Sequence, residues 1–304
     1  MKQFDRILEI AFSTMNYFLF VPFVNIRREI LKPNQFHMFA SAALVLISIA
    51  VMSSEVMPIY YSNLSMNIDS FGPFLQTVSR IAVLLLILFA HFYKYSCFKL
   101  LADKLSALEE LHYGTILCQC KIIFTYVACG LICIIYTTLR IWHEAGGVLT
   151  EFPFYIAAIV SVFYEYFFFE MFLLNVRYVT CSFGILNQHM SKALHKYCLS
   201  GDLRFEVNRS FVRNWRDSQS DLCDISVVIE EAFAFQVLMQ VAESFVVITY
   251  NLYYNLRYSV LSEMNYNSYC SVTIYTIFYF SQLFQVSKFC SSSVQEVICF
   301  YFPF

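Results

Sequence analysis

Six stretches of about 20 predominantly apolar residues, the length a helix needs to cross a bilayer core of about 30 Å, constrain this chain more than any other feature. They occupy residues 36–60, 74–93, 122–142, 152–174, 232–256 and 269–290, and none carries more than one or two charges. In lipid every backbone N–H and C=O must be satisfied within the protein, so such runs form helices even where they are rich in β-branched and aromatic residues. The runs are too long and too irregular in alternation for a membrane β-barrel. Only 14% of the 304 residues are charged, against about 25% for soluble domains, and this excludes an ordinary water-soluble domain as well as disorder.

Orientation is read from the Lys and Arg residues, because short basic loops stay in the cytoplasm. Five precede the first run (Lys2, Arg6, Arg27, Arg28, Lys32), four lie between the second and third (Lys94, Lys99, Lys104, Lys121) and seven between the fourth and fifth. The intervening loops have one or none. The expected fold is all-α: a polytopic transmembrane helix bundle with six spans, a cytoplasmic N-terminus and a small helical cytosolic domain. Residues 1–35 then form a cytoplasmic N-terminal segment, 36–290 the membrane domain with cytosolic loops 94–121 and 175–231, and 291–304 a cytoplasmic tail. Residues 10–24 are too short to span and lack a signal-peptide cleavage site, so an interfacial or packed helix is expected there. Asn63-Leu64-Ser65 is a glycosylation acceptor in a loop expected outside, which makes Asn63 a modification site.

The inner segments carry their own pattern. Phe98, Leu101, Leu105, Leu108 and Leu111 recur at steps of three and four among charges, which predicts an amphipathic helix extending the second span and packed on its neighbours. Phe211, Trp215, Leu222, Ile225 and Ile229 supply a similar apolar face before the fifth span.

Nothing in the sequence equips an enzyme. The six His are scattered, the 11 Cys form no paired zinc pattern, and there is no Walker or serine-nucleophile motif. No metal site, cofactor or catalytic residue is expected. A net charge of −2 gives no footprint for nucleic acid, so the lipid bilayer is the expected surrounding.

Charged groups inside spans are costly, about 2.5–3.5 kcal/mol each at the centre, and are paired or functional. This chain places Glu55, Arg80, Glu165, Glu170 and Glu243 there. From its depth in the second span, Arg80 is expected to face the bundle interior and pair with Glu243 or Glu165. That pair either holds helices in register or contacts a ligand. Recognition sites are concave and mostly apolar with a few convergent polar groups. The expected outer halves of the spans supply Phe74, Trp142, Phe154, Tyr250 and Tyr253, which with Arg80 and Glu243 make the candidate ligand-binding set. Each aromatic is equally explained as an interfacial anchor.

The segment from Leu222 to Tyr254, LCDISVVIEEAFAFQVLMQVAESFVVITYNLYY, resembles the region around the fifth span of insect gustatory receptors. A polar lead-in precedes the Phe233-Ala234-Phe235-Gln236-Val237-Leu238 entry and a Tyr-rich exit follows. The tail Cys290-Ser291-Ser292-Ser293-Val294-Gln295-Glu296 is similar to the cytosolic stretch after that family's sixth span. The resemblance implies a seven-helix, N-inside taste receptor in the plasma membrane. Such receptors assemble with other subunits as a tetrameric, ligand-gated, non-selective cation channel opened by a small-molecule tastant. It also implies a pore-lining seventh helix with a Thr-Tyr and Gln-Phe signature. That signature is absent up to Phe304, so the chain is expected to be truncated before the pore helix and silent on its own. A non-conducting ligand-binding or regulatory fragment and a small-molecule transporter are the alternative readings, and the N-inside orientation disfavours a G-protein-coupled receptor.

Overall fold

The computed structural model describes residues 23–24, 30–31, 35–62, 68–108, 132, 135, 152–200, 209–261 and 266–301. Asn63, Trp142 and the third apolar run, 122–142, therefore lie outside the described residues, apart from two isolated helical positions, Ile132 and Ile135.

Almost everything described is helix. α1 is Gln35–Ser62, α2 Ile68–Tyr93, α3 Tyr95–Leu108, α4 Phe152–Ser200, α5 Arg209–Leu261 and α6 Tyr266–Tyr301. Each of the apolar runs other than the third falls inside one of these helices. Pro153 stands in the first turn of α4, where its missing N–H and fixed φ cost nothing. Two two-residue strands, β1 Phe23–Val24 and β2 Ile30–Leu31, pair antiparallel with Phe23 opposite Leu31. The helix expected to run to Val24 is thus replaced at its end by extended chain, in keeping with the β preference of Val24 and Ile30.

α4 and α5 have 49 and 53 residues. At 1.5 Å per residue they are about 74 and 80 Å long, more than twice the thickness of a bilayer core. The stretch 175–231, expected as a cytosolic loop with helical parts, is mostly the unbroken continuation of these two helices. Their apolar parts, within Ile156–Ala193 and Arg213–Arg257, are long and apolar enough to cross a membrane. A third crossing is possible if α2 and α3, bent by 67° at Lys94, are one span. The helix ladder carries across the bend, from Lys94 N–H to the Ala90 carbonyl at 2.8 Å and from Phe98 N–H to the Lys94 carbonyl at 3.0 Å.

α5 is the organising element, packed on α2, α3, α4 and α6, while α1 closes against α2 and α4. The amphipathic pattern of α3 is expressed as expected: Phe98, Leu101 and Leu105 are buried in one core with Leu222, Ile225 and Ile229 of α5. Phe233 sits where three rings meet, with centroids 5.4 Å from Phe98, 5.2 Å from Phe168 and 5.7 Å from Phe172. Lys104 Nζ donates to Asp224 Oδ2 at 2.9 Å at the exposed edge of the same contact. Lys94 donates to the Glu231 carbonyl, tying the bend to α5.

Candidate functional site

Helical spacing places side chains three and four apart on one face. On α5 that rule carries Gln236, Gln240, Glu243, Ser244 and Asn251 inward, and all are buried. On α4 it aligns Ser161 with Glu165, and on α6 Thr276 with Tyr279 and Gln282, again buried. A polar seam therefore runs through an otherwise apolar bundle. α2 lies antiparallel to α5 along it: Gln76 meets Asn251, Arg80 meets Glu243, and Lys94 meets Glu231.

The seam centres on Arg80. Its Nε lies 3.6 Å from Glu243 Oε1 and 3.9 Å from Glu165 Oε2, and its Nη2 donates to Tyr279 Oη at 3.2 Å. Four helices, α2, α4, α5 and α6, each supply one of these groups. The carboxylate side chains are 4% and 1% exposed for Glu165 and Glu243, whereas Arg80 keeps 17%. Both carboxylate contacts are longer than a hydrogen bond, so the guanidinium neutralises by proximity and leaves oxygens undonated. Glu165 Oε1, both oxygens of Glu243, Gln240 Oε1 and Gln282 Oε1 have no hydrogen-bond partner, and neither has Arg80 Nε. Gln240 is nonetheless held in place, since its Nε2 donates to the Glu165 carbonyl at 2.8 Å.

About one helical turn from Arg80 toward Phe74, Gln76 Nε2 donates to Asn251 Oδ1 at 3.3 Å. Beyond it the Tyr250 ring lies against Gly72. A Cβ on Gly72 would stand 1.6 Å from Tyr250 Cε2, so only glycine permits this approach. Tyr250 also faces Tyr254 with centroids 6.0 Å apart.

The residues expected in the ligand site divide clearly. Arg80 and Glu243 come together, with Glu165 as a second acid where one or the other was expected. Phe74 is half-buried on α2, two residues after Gly72 in the chain. Tyr253 is turned away, 38% exposed, its hydroxyl accepting from Arg257 Nη1 at 3.2 Å. Phe154 belongs to α4, but its side chain, like that of Glu55, lies outside the description. Tyr279, Gln240, Gln282, Gln76, Asn251 and Gly72 were not anticipated. The signal for most of them was polar residues recurring at helical spacing within apolar runs. Among the described residues no three His, Cys, Asp or Glu side chains are grouped to hold a metal ion.

No curated protein matches the chain in sequence. The family model for 7tm chemosensory receptors matches residues 9–297, which takes in every helix described above but the last four residues of α6. The match spans residues 9–297 of the 304, and the chain belongs to the 7tm chemosensory receptor family.

Proposed function

We propose that this chemoreceptor is a gustatory receptor subunit of the plasma membrane, that it works in a ligand-gated non-selective cation channel, and that its tastant binds at the Arg80 cluster. The observation that carries the ligand site is the convergence of Arg80, Glu165, Glu243 and Tyr279 from four helices, with carboxylate and amide oxygens left undonated. Polar groups of this kind inside a bundle are costly and are kept for function or register. Apolar surroundings with a few convergent polar groups are the usual composition of a small-molecule site. Four helices anchored to one cluster also provide a means of response, because a ligand that alters the contacts of Arg80 alters the packing of α2 against α4, α5 and α6. In this reading the N-terminus is cytoplasmic, the Phe74 and Tyr250 end of the seam faces outside, and Asn63 is glycosylated.

The test is a panel of sugars, amino acids and alkaloid salts applied to the purified chain in detergent, with thermal unfolding as readout. A tastant that raises the unfolding midpoint of the wild type should lose most of that effect in Arg80→Lys and Glu243→Gln. If both variants respond as the wild type does, the ligand binds elsewhere. For the channel, the chain co-expressed with other subunits of the family should give a tastant-evoked current that persists when sodium is replaced by potassium or caesium, and a current carried by one ion alone contradicts the non-selective reading.

A further inference from the structure

We infer that the Arg80 cluster takes a primary ammonium group, so that the ligand of this receptor is an organic amine. The inference rests on the ligand site proposed above and adds its chemical class. With every group ionised, two carboxylates face one guanidinium, and the cluster lacks one positive charge. It is short of donors as well: both oxygens of Glu243 and Oε1 of Glu165 are undonated, against the single unpartnered N–H of Arg80 Nε. Tyr279 accepts from Arg80 and keeps one O–H to donate, but a neutral hydroxyl leaves the charge deficit standing. So does the neutral amide of Gln240, whose Nε2 is engaged on the Glu165 carbonyl.

An anion, or a ligand offering only carbonyl or ether oxygens, would deepen both deficits. A metal ion needs several oxygens converging at about 2.0–2.6 Å, and among the described residues no three His, Cys, Asp or Glu side chains are grouped to hold one. A primary ammonium supplies one charge and three N–H donors at a single atom, and charge-assisted hydrogen bonds to carboxylate are the stronger kind. Its route of approach is the edge of Arg80, the one member of the charged trio whose side chain stays appreciably accessible.

The experiment uses the full chain in detergent, with n-butylammonium chloride, tetramethylammonium chloride and 1-butanol as probes and the unfolding midpoint as readout. Butylammonium should bind about tenfold or more tightly than tetramethylammonium, which has charge but no N–H, and than butanol, which has a donor but no charge. Glu243→Gln and Glu165→Gln should each abolish that preference, while Glu230→Gln, at an exposed position of α5, should keep it. Equal shifts with butylammonium and butanol, or none with butylammonium, overturn the ammonium inference and leave the ligand site itself to the tastant panel. A butylammonium shift that survives in both buried variants places the binding elsewhere and overturns the site along with it.

Discussion

Removing the Arg80 guanidinium should unfold this receptor more readily than any surface change, and the structure indicates by how much. Arg80 stands 3.6 and 3.9 Å from two carboxylates that are all but sealed from solvent. At an effective dielectric constant of about 20, each contact is a gross attraction of about 4 kcal/mol, much of it offset by desolvation of the three groups. Breaking such an arrangement by deleting one partner leaves uncompensated buried charge and costs about 3–5 kcal/mol. Arg80→Met keeps most of the side-chain volume and should show that loss in thermal or denaturant unfolding in detergent, with reduced surface expression in cells. The decisive comparison is the triple variant Arg80→Met, Glu165→Gln, Glu243→Gln, in which no charge remains. Replacing a buried ionic cluster by neutral groups is often close to neutral for stability, so the triple variant should recover more than half of the loss, far from additivity. If it is as unstable as Arg80→Met alone, or if Arg80→Met loses less than about 1 kcal/mol, the cluster is not the electrostatic anchor described here.

Gly72→Ala places a methyl group on the Tyr250 ring, so it should lower stability by about 1–3 kcal/mol as an overpacked contact, and Tyr250→Ala in the same chain should relieve most of that loss. Phe233→Ala opens a cavity among Phe98, Phe168 and Phe172 and should cost about 3–5 kcal/mol in the same unfolding assay. Asn63→Gln should abolish a glycosidase-sensitive mass difference, and an N-terminal epitope tag should be inaccessible in intact cells; surface labelling of that tag contradicts the proposed orientation.

Much of this architecture was legible because lipid imposes so few choices. An apolar run of about 20 residues has to be helix, and α1, α2, α4, α5 and α6 each contain one. An arginine in such a run has to find a partner, which is why the pairing of Arg80 with Glu165 or Glu243 could be anticipated from depth alone. What depth could not resolve was the choice between them, because α4 and α5 present their acids at similar heights and a guanidinium reaches both. Tyr279 was hidden for a different reason: in a chain with 22 Tyr and 33 Phe, one phenol among many carries no signal until its hydroxyl is placed. The continuation of α4 to Ser200 was obscured by polarity. Asn175, Arg177 and Asn187 mark the end of an apolar run, but a helix leaving the bilayer has no reason to stop while other helices pack along it. Gly72 lies just before the second apolar run, and its close approach to Tyr250 is a tertiary fact with no local signature. Tyr253 looked like Tyr250 in sequence, three residues on, yet it is rotated away from the seam and engaged with Arg257.

The most direct test of the account is an experimental structure of the receptor bound to a tastant that stabilises it. The account predicts ligand density among α2, α4, α5 and α6, with a ligand donor within hydrogen-bond distance of Glu243 or Glu165 and the Arg80 contacts rearranged around it. Density at another place, with Arg80 still 3.6 and 3.9 Å from its two carboxylates and bonded to Tyr279, would show that the cluster holds the helices together and does not read the ligand.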